Sequence, residues 1–157
     1  GNDLEYTNSF ANDVANSTYG NVEYVSSLQV NAVPHGYSLN NGCIINNKTN
    51  SMANGVTEYI GKGKSVVYLG KSAFINLRQL QLTIGHEYIH ATQNFMMYKK
   101  ILTIDERRNG YLMAEIAAHN WECVMGNKNE FGVWTGKLGN WSWRRRPYYN
   151  WLLNATF

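Results

Sequence analysis

The sequence predicts an α+β domain in which a small sheet packs on helices, and three observations predict it. Segments rich in β-branched and aromatic residues crowd the first half of the chain, separated by turn residues. From Leu77 onward the apolar residues recur at helical spacing instead. Strands precede helices rather than alternating with them, which separates α+β from a doubly wound α/β layout. The length of 157 residues suits one domain, residues 1–157. A chain of that size buries about 70% of its unfolded surface, enough for a core.

The elements follow in order. Up to about Asn21 the chain is rich in Asn, Ser and Thr, and Phe10, Asp13-Val14 and Ser17 allow a short helix. Val22 to Val33 reads as a strand through Val22, Tyr24, Val25, Leu28, Val30 and Val33, until Pro34 and Gly36 break it. Residues 37–65 are turn-rich, punctuated by Asn40-Asn41-Gly42, Asn46-Asn47, Asn54-Gly55 and Gly61-Lys62-Gly63, with short strands expected at Cys43–Ile45 and Thr57–Ile60. Ser65–Leu69 is the best strand, ended by Gly70.

From Leu77 to Tyr98 the spacing predicts a helix, with Leu77, Leu80, Ile84, Tyr88, Ala91 and Phe95 forming one buried stripe. Gly85 inside it costs about 1 kcal/mol relative to Ala, so another backbone is expected to approach closely there. A linker follows, then a second helix from Tyr111 to Met125, closed by Gly126-Asn127. The C-terminal stretch mixes Trp141, Trp143, Tyr148, Tyr149 and Trp151 with Arg144-Arg145-Arg146. Aromatics interleaved with cations can stack nucleic-acid bases, but the expected role of these rings is core, with the Arg stems reaching outward.

Composition narrows the function. The net charge of +3 is mild and lacks the clustered excess of a nucleic-acid binder, so no nucleic-acid partner is expected. No apolar run approaches the ~20 residues that span a bilayer, and no stable membrane insertion is expected. The cysteines, Cys43 and Cys123, form no Cys-x-x-Cys pair, which excludes a zinc ribbon or thioredoxin-type site. The start Gly1-Asn2-Asp3, without Met, reads as a soluble piece cut from a longer precursor. His35, between Pro34 and Gly36, reads as a loop histidine.

The chemistry lies in His86-Glu87-Tyr88-Ile89-His90. Two histidines four residues apart on a helix leave the same face and can converge on one cation. Zinc takes such nitrogens as two corners of a tetrahedron. Glu87, about 100° around the helix from His86, can lean beside the ion without binding it and act as general base toward a metal-activated water. A third ligand is needed. Glu115, His119 and Glu122 share one face of the second helix; Glu115 is the first choice and His119 the alternative, with Glu122 read as a solvated residue.

His86-Glu87-Tyr88-Ile89-His90 followed by Glu115 resembles the gluzincin branch of zinc metallopeptidases. Gly85 to Gln93, with Glu115-Ile116-Ala117-Ala118-His119-Asn120 behind it, is similar to metallopeptidase domains at the C-terminal ends of bacterial RHS-repeat polymorphic-toxin proteins. The likeness covers residues 65–125. Gln93 and Met96 stand where a metzincin would carry Gly and His, which excludes that branch; His119 replaces the Asp of the thermolysin-like second motif. The resemblance implies a zincin-like fold, zinc held by His86, His90 and Glu115, and Glu87 as the base for peptide-bond hydrolysis. It also implies a toxin domain of a larger secreted or cell-surface protein, a peptide or protein substrate, and an immunity protein or the parent polypeptide as partner. The rival expectation is a non-catalytic zinc-containing binding module.

Overall fold

A computed structural model of the chain describes residues 4–101, Ala118, Trp121 and 148–157. Its elements are mixed α+β, with two small sheets and a long helix.

Helix α1 runs Asn8–Tyr19, where the sequence allows one. Thr7 caps it, its side chain accepting from the Phe10 N–H at 3.1 Å. Ala11, Val14, Ala15, Thr18 and Tyr19 are buried, the i, i+3, i+4, i+7, i+8 stripe of a helix lying on a core. Strand β1 covers Val25–Val30, shorter than the expected Val22 to Val33; Val22 and Tyr24 are buried ahead of it, and the Tyr24 carbonyl accepts from Ser65 N–H at 2.9 Å.

The turn-rich segment holds more strand than its sequence suggests. Strands β2 (Tyr37–Asn40), β3 (Cys43–Asn46) and β4 (Met52–Ala53) form an antiparallel meander. Asn41 and Gly42, at φ 51° and 83°, make the two-residue turn between β2 and β3. Strand β5 (Gly55–Gly61) pairs antiparallel with β6 (Lys64–Leu69), and β1 pairs parallel on the other side of β6, so the order is β1-β6-β5. Ser65, Val67 and Leu69 of β6 and Leu28 and Val30 of β1 are buried at alternate positions.

Helix α2 spans Leu77–Tyr98, the expected bounds, and packs against β5 and β6. The Asn76 side chain caps it by accepting from Gln79 N–H at 2.8 Å. Its burial departs from a single stripe. Leu80 to Gly85, Glu87 to Ile89 and Ala91 to Gln93 are all buried, while Leu77, at the helix start, is 47% exposed. The middle of α2 is surrounded by neighbours, α1 and the sheet among them, as befits a helix through the centre of a domain.

Gly85 corrects another expectation. The close approach is made by aromatic side chains, not by a backbone: a Cβ there would collide with the Trp121 ring and the Tyr19 hydroxyl. Tyr19 donates to Gln81 O at 2.6 Å and packs edge-on against Trp151, which in turn meets Tyr88 edge-on. Trp151 Nε1 donates to the Tyr24 hydroxyl at 2.8 Å, and that hydroxyl donates to Tyr148 O at 2.7 Å. Tyr149 and Trp151 are thus core, as expected of the tail's aromatics.

Of the predicted second helix, Ala118 and Trp121 are described; both are helical and buried. Trp141, Trp143, Arg144-Arg145-Arg146 and Cys123 lie outside the described residues. Cys43 is a free thiol on β3, and His35 sits in an exposed turn. Among the described residues, no helix is long and apolar enough to cross a membrane.

Candidate metal centre

His86, Glu87 and His90 fall in the middle of α2, more than two turns from the caps at either end. The two imidazoles turn their Nε2 atoms toward each other at 3.3 Å, with ring centroids 5.1 Å apart and planes inclined at 57°. Two nitrogens bound at about 2.0–2.1 Å to one tetrahedral ion stand about 3.3–3.4 Å apart. The observed separation equals that edge of the tetrahedron. In neutral imidazoles protonated on Nδ1, both Nε2 lone pairs are available to a cation. The same distance also lets one Nε2–H donate to the other ring.

Glu87 is 5% exposed. Its two carboxylate oxygens have different surroundings. Oε1 accepts from the Thr57 hydroxyl at 2.9 Å, and that hydroxyl also lies 3.0 Å from the Glu87 backbone carbonyl. Oε2 lies 4.0 Å from His86 Nε2. The carboxylate thus has one oxygen tied to the sheet and the other on the side of His86.

The sheet comes this close because of what β5 carries. Gly55 and Thr57 are two residues apart and therefore share a face; they pair with the buried Leu69 and Val67. A Cβ on Gly55 would meet Glu87 Cγ at 3.0 Å, Thr83 Cγ2 at 3.2 Å and the Tyr68 carbonyl oxygen at 3.2 Å. Neither Gly55 nor Thr57 stands out in the sequence, where both read only as turn and strand residues.

Two donors of the right type thus fit a zinc ion. The expected third ligand Glu115, its alternative His119, and Glu122 all lie outside the described residues. Among the described residues, no group of three or more His, Cys, Asp or Glu side chains is arranged to hold a metal. An open depression of about 430 Å³ lies elsewhere, between the end of α1 and the C-terminal turn Asn150–Leu153. Asn16, Tyr19, Trp151 and Asn154 line it, and His86, Glu87 and His90 do not.

Compared with protein-family models, with curated proteins and with solved structures, the chain matches none of them.

Proposed function

We propose that the chain is a zinc-dependent metallopeptidase of zincin-like architecture, hydrolysing peptide bonds with Glu87 as general base. The observation that carries this reading is the 3.3 Å separation of the His86 and His90 Nε2 atoms, with Glu87 Oε2 4.0 Å from the first of them. His86 and His90 would hold the ion, with Glu115 completing a two-His-one-Glu set and His119 the alternative third ligand. Zinc bound there would lower the pKa of a coordinated water toward about 7 and polarise a substrate carbonyl.

The chain's own residues supply the remainder. Burial of Glu87 keeps bulk water from competing for its carboxylate. Oε2 accepts a proton from the attacking water as the new C–O bond forms, and delivers it to the amine nitrogen as the C–N bond breaks. The products are a carboxylate-ended and an amine-ended peptide, with Glu87 restored to its starting form.

The wider setting rests on the sequence resemblance alone. In that setting the domain is a toxin portion of a larger RHS-repeat protein, secreted or displayed at a cell surface. Its substrate is a protein, and an immunity protein or the parent polypeptide is its partner.

The test combines metal analysis with a Glu87→Ala variant. We expect about one zinc per chain in both proteins, and cleavage of a broad peptide library by the native protein alone. Failure of the native protein to take up zinc sinks the proposal. Stoichiometric zinc without cleavage supports the non-catalytic binding module instead.

A further inference from the structure

We propose that Thr57 is a positioning residue that anchors one carboxylate oxygen of Glu87 and thereby turns the other toward His86. This inference rests on the peptidase reading for its consequence, though not for its geometry.

A glutamate on a helix has three side-chain torsions and two chemically equal oxygens, so nothing in Glu87 itself selects one arrangement. Thr57 removes that equivalence. Its one hydroxyl hydrogen is shared between two acceptors of Glu87, Oε1 at 2.9 Å and the backbone carbonyl at 3.0 Å. One small group thereby spans the start and the end of the Glu87 side chain. With Oε1 held on the sheet side, Oε2 is the oxygen left toward His86 Nε2.

The hydroxyl comes from a different element, so it fixes the carboxylate relative to the sheet as well as to α2. Thr57 is itself rigid. It is β-branched, which restricts its side-chain torsion, and its backbone is paired with Val67 in the middle of the β5–β6 ladder. Gly55, on the same face, leaves the room that Glu87 Cγ occupies, since a Cβ there would stand 3.0 Å from it. A serine keeps the hydroxyl; a valine keeps the shape and removes it.

The experiment uses the full chain, native and as Thr57→Val and Thr57→Ser, each loaded with zinc and measured in three ways. Thr57→Val should retain zinc stoichiometry and KM and lose roughly 10–100-fold in kcat, the range for groups that orient a reacting residue. Thr57→Ser should recover most of that loss. Crystal structures should show both Glu87 carboxylate oxygens moved off position 57 in Thr57→Val and one of them held by the hydroxyl in Thr57→Ser. An unmoved Glu87 carboxylate in Thr57→Val overturns the proposal. So does a native structure with Thr57 Oγ1 beyond about 3.5 Å from the carboxylate. A native protein that holds zinc and cleaves no peptide overturns the peptidase reading, and the position of Glu87 then decides the role of Thr57 by itself. Should Thr57→Val fail to fold, Thr57→Ala is read in the same way.

Discussion

Gly55 and Glu87 are in contact across the interface of β5 and α2, so close that a β-carbon on Gly55 would stand 3.0 Å from Glu87 Cγ. The other two neighbours of that β-carbon are the Thr83 methyl and the Tyr68 backbone oxygen, each at 3.2 Å. The backbone oxygen belongs to the β5–β6 ladder and cannot withdraw. Glu87, the nearest of the three and the longer of the two side chains among them, is the group expected to yield most.

Gly55→Ala should consequently fold, at a cost of about 1–2 kcal/mol from overpacking, with its main effect on the carboxylate. We expect zinc stoichiometry unchanged and kcat reduced on the order of 10-fold or more, since small displacements of a reacting group are costly. Steady-state kinetics beside metal analysis checks it. Native kcat in Gly55→Ala would show that the contact does not constrain Glu87.

Gly85 makes a separate prediction about stability. Ala is the better helix former by about 1 kcal/mol, so Gly85→Ala would stabilise a solvent-exposed helix. Here the new methyl would run into the Trp121 ring and the Tyr19 hydroxyl. Tyr19 is tied to Gln81 O and wedged among Tyr88, Trp121 and Trp151. Overpacking should exceed the helical gain, and Gly85→Ala should be less stable by about 1–2 kcal/mol net. Urea unfolding of the two proteins decides, and a raised midpoint would contradict the packing.

These two glycines mark where sequence reading stopped. The bounds of α2 and the core of β6 are legible because apolar periodicity and β-branched runs are local properties. The β2–β3 hairpin was legible in principle, since Asn41-Gly42 is a strong turn signal; reading it as punctuation alone lost β2. The site divides in the same way. His86, Glu87 and His90 share one turn of helix and can be found from their spacing, whereas Thr57 and Gly55 reach Glu87 through the pairing of β5 onto β6 and the packing of that sheet on α2. No spacing within the chain encodes that approach. Likewise the burial of α2 on most of its surface depends on α1 and the tail, which a stripe of apolar residues does not reveal.

Tyr24 should make stability fall at high pH. Burial pushes its hydroxyl from the usual value of 10.0 up to about 12, against the opposing help of hydrogen bonds from Thr92 and Trp151. A folded-state pKa above the unfolded one means that the native chain keeps a proton which the unfolded chain gives up between those values. The contribution is fully present below pH 10.0 and is lost as pH rises toward about 12. The loss amounts to roughly 2–3 kcal/mol. Urea unfolding as a function of pH should show the decline, and Tyr24→Phe should make it shallower without abolishing it, because burial raises the Tyr88 hydroxyl as well, while lowering stability at neutral pH. An unchanged slope in Tyr24→Phe would assign the alkaline loss to other groups.

Ligand and base should separate cleanly by what each substitution does to the metal. His86 and His90 offer two nitrogens at a tetrahedral edge, and two donors alone make a weak zinc site because structural and catalytic centres use three or four. Removing the third ligand should therefore lower zinc affinity sharply, and chelation should be easier. Removing Glu87 should leave affinity near native and lower kcat by about 10²–10⁴-fold, the range for a general base. Glu115→Ala and His119→Ala, compared by zinc titration against a competing chelator, identify which residue is the ligand. We expect the large loss in Glu115→Ala and a smaller one in His119→Ala. If neither variant loosens zinc while His86→Ala does, the third donor comes from another segment. If His86→Ala binds zinc as the native chain does, the converging nitrogens are a hydrogen-bonded pair rather than a metal site.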